Sequence, residues 1–163
     1  MAKTLCRWLW LALMLVWATA SADVTKQAVI AVIVAQNAPG QALDKKALDH
    51  IFLRKTTLWA NGETIRPVNL SGTHPVRRLF SERVVGLEPE ELEDYWNDQY
   101  FHGVFPPYAV DSEEAAIRYV SESAAAIGYV SACAVDRRVK VLLYLTPAGF
   151  AQGGNTSHYC PQH

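Results

Sequence analysis

An α/β domain with a mostly parallel sheet flanked by helices is predicted by three features of the 163-residue sequence. Short β-branched runs alternate with amphipathic helical stretches, Gly, Pro and Asn punctuate the joins, and no segment repeats. Residues 28–35 are continuously apolar and rich in Val and Ile, which suits a strand covered on both faces. Asn37-Ala38-Pro39-Gly40 breaks that run. Asp44 then caps a helix whose apolar positions Ala47, Leu48, Ile51 and Phe52 share one face. Asn61-Gly62 forms a turn before the apolar stretch 64–68. Helix 75–85 buries Val76, Leu79, Phe80 and Val84, and Gly86 stops it. Pro89 opens a third helix carrying Leu92, Tyr95 and Trp96. Asp111 or Ser112 caps a fourth, with Ala115, Ala116, Tyr119 and Val120 inward. Residues 127–130 and 139–143 close the pattern as strands.

The ends of the chain set its organisation. Lys3 and Arg7, an apolar stretch over 8–16 and the small-residue Ala20-Ser21-Ala22 form a tripartite export signal with cleavage expected after Ala22. The uncharged run over 8–22 falls short of the ~18 apolar residues of a spanning helix, so an uncleaved anchor is the lesser reading. The organisation expected is a signal peptide over 1–22, an α/β domain over 23–150 and a polar tail over 151–163, with the mature chain periplasmic. Loss of the leader leaves 13 Lys and Arg against 16 Asp and Glu. A mildly acidic chain without basic runs argues against nucleic acid as a partner. It also means that any anion site must be local rather than served by long-range attraction. Two cysteines remain, Cys133 and Cys160, and an oxidising compartment makes a disulfide their expected state. The competing reading is a metal site from His158, Cys160 and His163, but the loose Gly-rich run before them and the lack of a second cluster leave the expectation at no metal.

The most informative run is Asn69-Leu70-Ser71-Gly72-Thr73-His74-Pro75, where a strand passes through a small-polar turn into a helix. Such a junction presents unpaired backbone N–H groups beside the positive end of a helix. Ser71 and Thr73 add hydroxyls, and Gly72 allows close approach to the backbone. Two readings stand: Ser71 or Thr73 caps the helix, or the turn cradles an oxyanion. A hydrolase triad of Ser71, His74 and Asp94 or Asp111 is disfavoured, because Ser71 lacks a G-x-S-x-G elbow. With no paired carboxylates, P-loop or dinucleotide glycines, the chain is read as a non-enzyme without a cofactor. The segment from Tyr95-Trp96 to Tyr108 is dense in rings; either they fill the core of a small domain, the expected use of most of them, or they form an exposed patch for a partner.

Five segments, in order, resemble the phosphate-binding proteins of ABC-type phosphate importers. Residues 43–55, with Ile51-Phe52-Leu53-Arg54-Lys55, are similar to that family's "L-(S/T)-x-x-x-L-x-x-I-F-L-G-K" segment. Trp59 with Asn61-Gly62 matches a following "W-x-D/N-G", and Ser71-Gly72-Thr73 with Phe80 matches "S-G-T-x-x-x-F" with a longer spacer. Tyr95-Trp96, Phe101-x-Gly103 and Pro106-Pro107 match an aromatic segment of short members, and Ile127-Gly128-Tyr129-Val130 matches "I-G-Y-V". The resemblance implies a type II periplasmic-binding-protein-like lobe that binds phosphate or a similar oxyanion at Ser71, Gly72 and Thr73, with Asn69 and Arg77 as further ligands. Full-length members place an arginine and an aspartate before "S-G-T"; here Pro67 and Asn69 stand there, and Arg66 belongs to the opposite side of the strand. The turn alone then gives a net of about −4 to −6 kcal/mol once immobilisation is counted, a high-micromolar to millimolar complex. A second surface would tighten it: another copy in a homodimer, or an inner-membrane transporter or sensor. The alternative function is a docking module for such a partner with no solute of its own.

Overall fold

The computed structural model describes residues 28–39, 42–154 and 158–160. The export signal therefore lies outside the described residues, as does His163. Among the described residues no helix is long and apolar enough to cross a membrane.

The chain runs β1 (Ile30–Ala35), α1 (Lys45–Phe52), β2 (Arg66–Leu70), α2 (Pro75–Phe80) continuing through a π-helical turn (Ser81–Val85), α3 (Leu92–Phe101), β3 (Tyr108–Val110), α4 (Glu113–Ser121), β4 (Ala126–Ser131), β5 (Val139–Thr146) and β6 (Gly149–Gln152). One six-stranded sheet has the order β3-β2-β4-β1-β5-β6. β2 pairs in parallel with β3 and β4. β1, however, is antiparallel to both β4 and β5, and β5 to β6. The α/β lobe is as predicted, but its sheet is mixed rather than mostly parallel. The reason is physical: a continuous apolar run reports burial on both faces, which β1 has at all six positions, and carries no information on direction. β5 then returns into β6 through a tight hairpin, with the Thr146 hydroxyl donating to the Gly149 carbonyl at 2.9 Å and Gly149 at φ +128°. β6 includes Ala151 and Gln152, which the sequence assigned to the tail.

Local signals fix the helices. The Asp44 carboxylate accepts from the Ala47 amide at 2.7 Å and caps α1, which buries Leu48, Ile51 and Phe52. Ser112, rather than Asp111, caps α4 by accepting from the Ala115 amide at 3.1 Å. Gly86 ends the α2 segment in the left-handed region. α3 starts three residues later than expected: residues 89–91 form a turn, and the helix begins at Leu92.

Packing centres on aromatic rings between α1, α2 and β4. Phe80 stacks on Tyr129 at 3.7 Å, and Phe52 meets both edge-on at 4.7 and 5.5 Å. Trp59 is buried and donates its indole N–H to the Ala125 carbonyl at 3.0 Å. Gly128 lets α4 and β2 close on β4, since a Cβ there would stand 2.8 Å from Val68 Cγ1 and 3.0 Å from Val120 Cγ2. Cys133 and Cys160 form the expected disulfide, with Cα atoms 5.1 Å apart. Beside it Tyr159 packs on Tyr144 at 4.5 Å, so this part of the tail is pinned to the sheet.

Candidate functional site

The parallel part of the sheet aims its carboxyl ends at one edge. There β2 leads through Ser71–Thr73 into α2, and β3 leads through Asp111 and Ser112 into α4. The two junctions touch, because the Ser71 amide donates to the Val110 carbonyl at 2.9 Å. In open α/β sheets this edge is where ligands bind.

The turn itself differs from the capping reading in one informative way. The cap of α2 is His74, whose Nδ1 accepts from the Val76 amide at 3.3 Å, with Pro75 at the first helical position. Neither Ser71 nor Thr73 caps. Their hydroxyls bond to each other at 3.1 Å on the exposed side of the turn. The His74 amide donates to the Ser71 carbonyl at 2.9 Å and closes the turn. The amides of Gly72 and Thr73 meet no protein acceptor among the described residues. Two hydroxyls and two amides are thus displayed by three consecutive residues. Gly72 has room: a Cβ would meet only Pro89 Cβ at 3.7 Å.

Asn69 and Arg77 sit beneath this turn and are buried, at 6% and 7% exposure. Arg77 Nη1 donates to Asn69 Oδ1 at 2.9 Å, and the Tyr129 hydroxyl donates to the same oxygen at 3.2 Å. The Leu70 amide in turn donates to the Tyr129 hydroxyl at 3.3 Å, which ties the network to the last residue before the turn. Burial raises the Tyr129 phenol pKa, with the Arg77 charge opposing, so the phenol holds its proton. Arg77 has no carboxylate within ion-pair range among the described residues. A buried cation without a counter-ion is costly unless something else supplies the negative charge. Arg78, its neighbour, is instead committed outward to Glu90 at 2.5 Å.

Of the five residues singled out as ligands, the structure brings Ser71, Gly72 and Thr73 together on the surface, with Asn69 and Arg77 as a second layer. Tyr129 belongs to that layer and escaped sequence reasoning; its signal was a phenol inside an otherwise apolar strand, where the hydroxyl must find a partner. A triad does not assemble, because His74 is used as a cap and Ser71 bonds Thr73. Among the described residues no group of His, Cys, Asp and Glu is arranged to hold a metal, and Cys160 is in the disulfide.

No family model and no curated protein matches the chain. Solved structures do. An ABC-type phosphate transport receptor from Vibrio cholerae superposes with a TM-score of 0.58 at 24% identity, covering 71% of this chain and 46% of that one. A putative phosphate ABC transporter substrate-binding protein with bound phosphate from Clostridium perfringens gives 0.58 at 26% identity, over 70% and 44%. The chain folds like a phosphate ABC-transporter substrate-binding protein. A possible phosphate binding protein from Planctomyces limnophilus adds a TM-score of 0.51 at 15% identity, over 71% and 41%. The chain thus spans less than half the length of the structures it matches, the extent of about one lobe. These neighbours are described as transport receptors and binding proteins, and the chain shares the fold of part of each.

Proposed function

We propose that this protein is an exported, non-catalytic oxyanion-binding domain that holds phosphate, or a tetrahedral anion like it, at Ser71, Gly72 and Thr73. The observation that carries this reading is Arg77, a buried residue beneath the turn whose guanidinium has a neutral partner and no carboxylate among the described residues. An anion seated on the free amides of Gly72 and Thr73 and on the two hydroxyls would complete its charge balance. Asn69 positions Arg77 rather than the ligand, and Tyr129 holds Asn69. The likeness to phosphate-binding proteins points to the same guest. Among the described residues no second surface covers the turn, and weak binding is the natural regime of this lobe by itself. A second surface closing over the turn, from another copy or a membrane transporter, would tighten it.

Calorimetric titration with phosphate tests this. Wild type should bind with a dissociation constant on the order of 1 mM. Gly72→Val should not bind yet should fold, because the glycine has no positive φ and its Cβ position is open. No heat at tens of millimolar phosphate in the wild type, or equal binding by Gly72→Val, would leave the turn as a plain helix entry.

A further inference from the structure

A separate cleft of about 460 Å³ opens at the other end of the parallel strands, where β2 and β3 begin. Arg66 on its wall lies roughly 16 Å along β2 from the turn, at about 3.3 Å per residue. The cleft is bounded by Arg54, Arg66, Phe105, Pro106, Tyr108 and Tyr119, among others, and its only charged lining groups are the two arginines. The Arg66 side chain is exposed and has no partner among the described residues. Arg54 donates Nη1 to the Ile65 carbonyl at 3.1 Å and holds the left-handed conformation at φ +59°. That is a position where glycine is the unstrained choice and where the resembled phosphate-binding segment carries glycine. A non-glycine residue kept there, with its guanidinium in the cleft wall, points to a use for the charge.

Rings extend the surface beyond the cleft. Tyr100, Phe101, Phe105 and Tyr108 are 61, 86, 59 and 61% exposed. The expectation that most rings of this segment fill the core is thus overturned for these four. Tyr100 and Phe101 end α3, Phe105 lies in the loop after it, in which Gly103 takes φ +74°, and Tyr108 opens the edge strand β3. Tyr100 packs against Phe105 at 5.4 Å, and Tyr108 against the half-buried Tyr119 of α4 at 5.5 Å.

We propose that this face docks an acidic segment of a partner protein, with a carboxylate set between Arg54 and Arg66 and an aromatic or aliphatic side chain against Phe105 and Tyr108. Charge complementarity selects the occupant: a cleft with two cations and no carboxylate in its wall recognises an anion, and guanidinium forks match carboxylates. The extent of the ring patch favours a peptide over a small solute, since Tyr100 and Phe101 lie outside the cleft.

The test uses the whole exported protein and a blocked, fluorescein-labelled peptide, Asp-Phe-Glu-Phe-Asp, with its Asn/Gln counterpart and phosphatidylglycerol vesicles as comparison arms. The acidic peptide should bind and shift the backbone resonances of Gly103 and Tyr108. Arg66→Glu should weaken it by about tenfold, and Arg66→Lys should recover most of that. Arg54→Gly, which suits the backbone, should weaken it while leaving the fold intact. Gly72→Val should not affect it, which separates this face from the anion turn. Equal affinity for the Asn/Gln peptide, indifference to Arg66→Glu, loss on Gly72→Val, or capture by vesicles without peptide binding would each overturn the proposal.

Discussion

Replacing Arg77 by Met separates its structural role from its electrostatic one. The substitution keeps the apolar stem and removes the guanidinium. Asn69 Oδ1 would retain the Tyr129 hydroxyl at 3.2 Å, so no buried acceptor is orphaned. The lost charge-assisted hydrogen bond is worth about 1.5–3 kcal/mol. Removing a buried, unpaired cation returns a desolvation term of about several kcal/mol. In anion-free buffer the variant should therefore lie within about 1 kcal/mol of wild type, or above it. Phosphate then distinguishes the two proteins. With a dissociation constant near 1 mM, 10 mM phosphate stabilises the wild type by about 1.4 kcal/mol. At roughly 3 °C per kcal/mol for a domain of this size, Tm should rise by about 4 °C. Arg77→Met should show almost none of this rise. Any non-specific stabilisation by a kosmotropic anion would be common to both and cancels in the comparison. Equal phosphate shifts in the two proteins would refute the counter-ion argument. So would loss of more than about 3 kcal/mol by the variant without phosphate, which would make Arg77 a purely structural cation.

Tyr129→Phe removes the acceptor of the Leu70 amide and should cost about 1–3 kcal/mol in urea unfolding. Burial raises the Tyr129 pKa above its ordinary value of 10.0. Its contribution is thus complete below about pH 10 and is lost as pH rises through the folded-state value. Tyr129→Phe should flatten that alkaline decline, with Tyr95 and Tyr144, also raised by burial, supplying what slope remains. Gly128→Ala drives a methyl against Val68 and Val120 and should destabilise by about 1–3 kcal/mol, read as a lower urea midpoint. The Cys133→Ser, Cys160→Ser double variant should lose about 3–4 kcal/mol and expose Tyr159 to iodide quenching along with the released tail; an unchanged urea midpoint would show that the bridge constrains little.

The elements that depend on local chemistry were legible in the sequence. The Asp44 cap and the Leu48, Ile51, Phe52 face of α1 are found where the pattern placed them. So are the Gly86 stop and the Asn61-Gly62 turn, with Gly62 at φ +82°. What depends on distant partners was not. Strand direction is invisible in an apolar run such as β1, and β3, three residues long with an outer face, carries no periodicity to read. At the site, the spacing from Ser71 to Thr73 identified the displayed donors. The network below them is non-local: Asn69 and Arg77 are brought to Tyr129, some sixty positions away, only when β2 and β4 pair in parallel. The choice of His74 over Ser71 or Thr73 as the cap was equally hidden, because all three are polar residues just before Pro75. The exposed rings at the end of α3 and in the segment after it show the limit of composition: aromatic content suggests a core, but these positions face outward.

Mapping phosphate onto the protein by amide and guanidinium NMR tests the central claim most directly. Titration should move the backbone resonances of Gly72 and Thr73, the turn amides that meet no protein acceptor among the described residues, together with the Arg77 Nε–H signal, while Gly103 and Tyr108 stay in place. Shifts confined to the arginine cleft, or no shift at Gly72 and Thr73 at saturating phosphate, would contradict an oxyanion site at this turn.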